Sequence, residues 1–123
     1  MLEPILFAAT SNPARARHFY GEVLGLTFVS DDPYALVFKA GGYTLRIQKV
    51  EKVVVAPYAL LGWRINNLED EIRKLKSRGV HFEKYEGLRQ DNEGVWRAPS
   101  GASIAWFKDP DGNTLSLVHH EGV

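Results

Sequence analysis

The side chains able to do chemistry in this 123-residue chain are few and scattered. There is no cysteine, which excludes thiolate metal sites, cysteine nucleophiles and a disulfide scaffold. His18, on a helix, and His81, on a strand, each without a visible acidic or cysteine partner, read as structural. The pair His119-His120 reads as the solvent-exposed, fraying end of a last strand. Ser100-Gly101 and Ser103 lie in a turn-like stretch without the Gly-x-Ser-x-Gly context of a nucleophile elbow. The glycines at 41, 42, 87, 94 and 101 do not gather into a phosphate-cradling loop. Fifteen basic residues balance fifteen acidic ones, so the chain carries no electrostatic footprint for nucleic acid or an anionic membrane. What remains is recognition chemistry. A guanidinium such as that of Arg46 holds a carboxylate or phosphate in a bidentate pair, and indoles such as Trp96 and Trp106 offer flat walls to a planar ligand.

These side chains need a scaffold, and the chain reads as strand, helix and three strands, twice over. Residues 5–9 form a short apolar run of the buried-strand type. Asn12-Pro13 supplies an N-cap followed by proline at the first helical position. From residue 14 to 24 the apolar positions Ala16, Phe19, Tyr20, Val23 and Leu24 recur at spacings of three and four, predicting an amphipathic helix that Gly25 ends. Strands are expected over 26–29, 34–39 and 43–48, punctuated by Asp31-Asp32-Pro33 and Gly41-Gly42. After a connection at 49–58, a strand at 60–65 leads to Asn66-Asn67 and a helix over 68–78, with Leu68, Ile72 and Leu75 as its stripe and Gly79 as its stop. Strands over 80–85, 103–108 and 113–119 follow. Asn12 matches Asn67 at an offset of 55 and Gly25 matches Gly79 at 54, while Gly42 matches Gly112 at 70. The second helix is therefore one residue shorter, and about sixteen residues are inserted between Phe82 and Gly112.

Length and composition predict one domain, 1–123, with a first module at about 1–49 and a second at about 59–120. Met1-Leu2-Glu3-Pro4 does not resemble a secretory signal, and no apolar run approaches the roughly 20 residues of a membrane span. A cytoplasmic location is expected.

Two segments carry a family resemblance. Residues 17–26, Arg-His-Phe-Tyr-Gly-Glu-Val-Leu-Gly-Leu, resemble the FYxxVLGL helix of the vicinal oxygen chelate superfamily, the fold of glyoxalases, bleomycin-binding proteins and extradiol dioxygenases. Residues 105–117, with Asp109-Pro110-Asp111-Gly112-Asn113 at their centre, resemble its C-terminal FxDPDGNxxEL hairpin. The resemblance implies an α+β fold: two βαβββ modules forming an open, curved mixed sheet around a cleft, with helices on the convex side. Both motifs read physically as structure, since the first is an apolar stripe and the second a tight turn. Function must then be argued from the site.

In metal-dependent relatives, four ligands come from the first and last strands of each half. The resemblance puts Ile5, Arg46, Leu60 and Ser116 at those places, and none of them suits a divalent ion. Nor does any side chain over 4–9 or 59–64, and Gln48 with His119-His120 does not restore four ligands. No metal and no cofactor are therefore expected, and the Lewis-acid reactions of the family lose their centre. Strand alternation puts Ile5, Phe7, Thr44, Arg46, Gln48, Leu60, Gly62, Arg64, Thr114 and Ser116 on the concave side, the lining of a small-molecule pocket. Arg46 and Arg64 are either ligand anchors or partners of acids across the sheet. Trp96, reached through the polar loop of the insertion at 86–101, and Trp106 form an aromatic wall or pack as core, while Trp63 faces the helix. The expected ligand-binding set is Phe7, Thr44, Arg46, Gln48, Arg64, Trp96, Trp106 and Ser116, and the expected ligand is a neutral or anionic small organic molecule. No nucleic acid or membrane partner is expected, and a homodimer is implied by resemblance. Two other readings stand beside this one. The first is a lyase or dioxygenase with a relocated or partner-supplied metal; the second is a pseudo-enzyme acting through its dimer surface.

Overall fold

The computed structural model describes residues 1–120. Its eight strands form two four-stranded mixed sheets, one from each copy of the repeat. In the first copy β1 (Ile5–Thr10) leads into α1 (Pro13–His18), and β2 (Thr27–Asp31), β3 (Ala35–Ala40) and β4 (Tyr43–Lys49) follow. In the second, β5 (Leu61–Arg64), α2 (Leu68–Ser77), β6 (Trp96–Arg97), β7 (Ala102–Lys108) and β8 (Thr114–His120) repeat the order. The sheets run β1-β4-β3-β2 and β5-β8-β7-β6, each with a parallel pair between its first and last strands and antiparallel pairs elsewhere. Identical strand orders establish the repeat that the sequence offsets suggest.

Both helices start as expected. The side chain of Asn12 accepts a hydrogen bond from Arg15 N at 3.2 Å, and that of Asn67 accepts one from Asp70 N at 3.1 Å. The one-residue difference between the helices has a local cause. After His18 the first helix widens into a π-helical turn over Phe19–Val23, where Leu24 N bonds to Phe19 O at 2.9 Å. Such a turn absorbs one extra residue within a helix. Gly25 then leaves the helix at φ 76°, a conformation that a side chain would strain.

The chain divides into two compact units, Met1–Val55 with Asp109–Asn113, and Ala56–Lys108 with the chain from Thr114 on. The division falls within the expected connection, but the first unit also takes the tight turn between β7 and β8. The core of this unit explains why. Tyr20 is fully buried, and its hydroxyl donates to Asp109 Oδ2 at 2.6 Å. Asp109 also accepts from the backbone N–H groups of Asp111 and Asn113 and from the Asn113 side chain, at 2.9–3.0 Å. Asn113 Nδ2 donates onward to Ala9 O, and Asp111 Oδ1 accepts from Ser11 N and Oγ. Burial, with the Asp109 carboxylate beside it, pushes the Tyr20 phenol far above its ordinary value, so it remains a donor.

In the second unit the expected strand at 80–85 is not formed. It is reduced to a bridge between Phe82 and Phe107, with Glu83 N bonding to Trp106 O. The edge of the sheet is instead Trp96–Arg97, pairing with Ile104 and Ser103 of β7. The insertion divides the edge position between two short segments, and one side chain fastens them. Gln90 Nε2 donates to Glu83 O and Gly94 O at 2.9 and 2.7 Å, and its Oε1 accepts from Tyr85 N at 2.7 Å. Asp91 adds bonds from the N–H groups of Glu93 and Val95 and from Arg97. Partial burial opposes the charge on Asp91, but these donors outweigh it and hold the carboxyl below its usual range.

Two outcomes test these anchors. Tyr20→Phe keeps the ring but removes a donor from a buried carboxylate, and should cost about 2 kcal/mol in urea unfolding; an unchanged midpoint would mean the bond is dispensable. Gln90→Ala should leave the fold intact while the Tyr85 amide loses at least about tenfold in hydrogen-exchange protection. Because the Asp91 carboxyl is lowered in the folded state, its contribution to loop order is complete above the ordinary carboxylate value. It should disappear as pH falls through the folded value, below about pH 4. Loop protection that persists there would contradict this role.

Candidate functional site

In each sheet, one face packs under its helix and the other turns away. Beneath α1 lie Leu36, Phe38, Leu45 and Ile47, all fully buried. The opposite face of that sheet carries Phe7, Thr44, Arg46 and Gln48, as strand alternation predicts. Phe7, Arg46 and Val37 stand in one row across β1, β4 and β3, with Ile5, Thr44 and Lys39 in the row beside it. Phe7 is 47% exposed and Ile5 49%. Arg46 is half-buried and makes no ion pair within 4 Å among the described residues. Asp32, whose carboxyl is held below its usual value mainly by the N–H groups of Tyr34 and Ala35, feels the Arg46 charge only as a minor influence.

On the second sheet, Leu61, Leu115, Leu117, Ala105 and Phe107 are buried on the side of α2. The other face shows a row of Arg64, Val118, Ile104 and Trp96, then a row of Gly62, Ser116 and Trp106. At the usual strand spacing, Arg64 and Trp96 lie roughly 14 Å apart across the face. Arg64 is exposed and likewise has no ion pair among the described residues. The two indoles lie side by side on this face, with ring centroids 6.2 Å apart at 32°.

Sequence reasoning missed a third aromatic side chain beside them. Tyr85 stands edge-on to Trp106 at 5.6 Å. Burial and the Glu83 carboxylate raise its phenol, with a hydrogen bond to the Thr114 side chain in partial opposition. Alternation from the buried side of Phe82 was the available signal. Ser116 is placed on the expected face but is only 7% exposed. A Cβ at Gly62 would come within 2.4 Å of its hydroxyl, so the two residues pack closely. Trp63 is half-buried on the helix side, next to Leu117.

The expectation for the histidine pair needs correction. His119 and His120 do not fray: β8 runs through both, paired with Ser103 and Ala102, and both are half-buried. His119 Nδ1 lies 3.0 Å from Ile65 O, and His120 Nε2 lies 3.1 Å from Ser100 O. Neighbouring strands tether them despite their place near the end of the chain. No group of three or more His, Cys, Asp or Glu residues able to hold a metal ion occurs among the described residues. At the ligand places that the family resemblance implies, the side chains of Ile5, Arg46, Leu60 and Ser116 are not a donor set suited to a divalent ion.

A pocket of about 670 Å3 opens on the other side of the second sheet, between α2 and the stretch 91–97. None of the eight predicted ligand residues lines it.

No curated protein sequence matches the chain. Solved structures do: a glyoxalase family protein from Enterococcus faecalis superposes with a TM-score of 0.71 at 25% identity, covering 96% of each chain. The bleomycin resistance determinant encoded on transposon Tn5 reaches 0.73 at 20% identity, covering 98% of this chain and 99% of its own. Lactoylglutathione lyase from Agrobacterium tumefaciens reaches 0.71 at 18%, covering 96% and 94%. The sequence profile of the glyoxalase/bleomycin resistance protein/dioxygenase superfamily matches residues 4–117. With nearly the whole chain matched and both sheets in the same α+β order, the protein belongs to that superfamily.

Proposed function

We propose that the chain binds a small neutral or anionic organic molecule on the sheet faces turned away from its helices, without a metal or cofactor. The observation that carries this reading is that Arg46 and Arg64 each stand on such a face beside apolar or aromatic side chains, with no ion pair within 4 Å among the described residues. An unpaired guanidinium contributes little to folding, and its planar fork suits a ligand carboxylate. Phe7, Thr44 and Gln48 surround one guanidinium; Trp96 and Trp106 supply a flat apolar partner on the face of the other, with Ser116 contributing at most an edge. Two cationic anchors argue against a cationic drug as ligand. The structural relatives include both a lyase and a resistance determinant, and the fold alone does not choose between such roles. A cytoplasmic location fits this reading; no helix among the described residues is long and apolar enough to cross a membrane.

A homodimer is the second part of the proposal. Strand β2 is exposed along its whole length, with Val29 in it 49% exposed; Tyr34, in the turn that follows, and Tyr43, at the start of β4, are 77% and 46% exposed. Unpaired edges and apolar surface of this kind are commonly covered by a partner. Phe28 is covered in part by the Arg17 guanidinium, 3.9 Å over its ring, and by the Phe38 ring at 5.6 Å.

Titration with benzoate, 2-naphthoate and 2-naphthol tests the binding role. The naphthyl probes should quench tryptophan fluorescence. Arg46→Ala should weaken the best carboxylate by about 10- to 100-fold with stability changed by no more than about 0.5 kcal/mol. Binding that is unchanged in Arg46→Ala and Arg64→Ala sinks the assignment. Incubation with zinc, nickel, manganese or iron followed by desalting should leave no stoichiometric metal. Near-stoichiometric retention would favour a metal-assisted lyase or dioxygenase instead.

A further inference from the structure

We propose that the pocket between α2 and the stretch 91–97 is a second binding site, for a zwitterion carrying one ammonium and one carboxylate, as a free amino acid or a short peptide does. Three walls build it, each from one face of an element. Glu69, Ile72, Arg73 and Lys76 recur along α2 at helical spacing. Asp91, Glu93, Val95 and Arg97 are alternate residues of the facing stretch. Ser103 and His119 are opposite one another on β7 and β8, in the same row as Arg97. The helix side of this sheet is otherwise apolar, with Phe107 and Leu115 in one row and Ala105 and Leu117 in the next. The third row turns polar where the pocket opens, and a wall that only sealed the core would not need hydrogen-bonding side chains there.

The charge pattern selects the ligand. Three acids and three bases line the pocket, so a ligand of large net charge gains nothing from the whole. Two pairs are closed within the protein, Lys76 with Glu93 and Arg97 with Asp91. Glu69 has no ion pair or side-chain hydrogen bond among the described residues. Arg73, one turn further on, pairs among the described residues only with the exposed Asp70, an interaction worth little against solvent. One available acid and one available base on a single helical stripe suit an ammonium and a carboxylate carried by the same small molecule. The buried side chains of Ile72 and Val95 give its apolar part a floor. His119, whose Nδ1 faces Ile65 O, and Ser103 offer hydrogen bonds at the far end.

The twenty amino acids and the dipeptide Leu-Leu, screened by calorimetry on the full chain, test this directly. At least one zwitterion should bind, whereas its deaminated acid and decarboxylated amine should bind at least about tenfold more weakly. Whether a free amino acid or the dipeptide wins distinguishes the two sources of the same chemistry. Glu69→Gln and Arg73→Gln, both at exposed positions, should each weaken binding about tenfold or more while melting within about 2 °C of the parent. Amide resonances of Asn67, Ile72, Val95 and His119 should shift on titration. The proposal is overturned if no zwitterion binds, if a one-charge analogue binds equally well, or if both variants bind as the parent does. Shifts at Phe7, Arg46 and Trp106 instead would also overturn it, and would leave the sheet-face reading standing.

Discussion

A carboxylate removed from water has to be fully solvated by protein, and Asp109 imposes that demand on the first unit. Four donors meet it: two backbone N–H groups of its own turn, the Asn113 amide and the Tyr20 hydroxyl. The turn is thereby locked in shape, and Tyr20, 89 residues away, has only one place to put its hydroxyl. Asn113 and Asp111 extend the same network to Ala9 and Ser11, so the end of β1 and the start of α1 are fixed with it. Removing any one donor strands a buried charge, which costs more than the bond itself contributes. The two sequence motifs that carry the family resemblance are thus two halves of one interaction. Closing it requires ordering most of the chain between them, and the loop-closure cost grows only slowly with that length.

Around this anchor, the two copies follow one strand order with different local solutions. The first copy has an extra helical residue and stores it in a π-helical turn beside Tyr20. The second has a long insertion and stores it outside the edge of its sheet, with Gln90 standing in for the main-chain bonds that a continuous strand would have made. Neither difference disturbs the rows of side chains across the sheets. Those rows are where the copies diverge chemically, with Phe7 and Arg46 in one and Arg64, Trp96 and Trp106 in the other.

Much of this was legible in the residues. Asparagine caps, glycine stops and period-two alternation are local signals, and they located both helices, most strands and the faces on which Arg46 and Trp106 stand. What failed was non-local. The run at 80–85 alternates well enough for a strand, but alternation does not reveal which segment pairs with β7; that was decided by the insertion. A side chain that bonds to three main-chain groups, as Gln90 does, leaves no periodic trace. The histidine pair looked terminal because sequence position says nothing of the cross-strand partners that hold it. The pocket beside α2 was invisible for a related reason: its walls come from three elements whose proximity follows only from the strand order.

Folding energetics separate the residues that the fold explains from those it does not. Tyr20, Asp109 and Gln90 would be missed at once by the structure itself. Arg46, Arg64 and Phe7 would not, since a guanidinium with no ion pair among the described residues and a phenyl ring half in water add little to stability. Trp96 lies between these classes, because β6 is only two residues long. Its indole stands on the sheet face with Trp106, while the residues on either side of it, Val95 and Arg97, face the pocket beside α2. A strand so short, fastened at its entrance by Gln90 and Asp91, has little freedom to shift one side without the other. Arg97, paired with Asp91, and Trp96, whose ring lies against Trp106, are thus neighbouring residues of one two-residue strand with side chains on opposite faces of the second sheet.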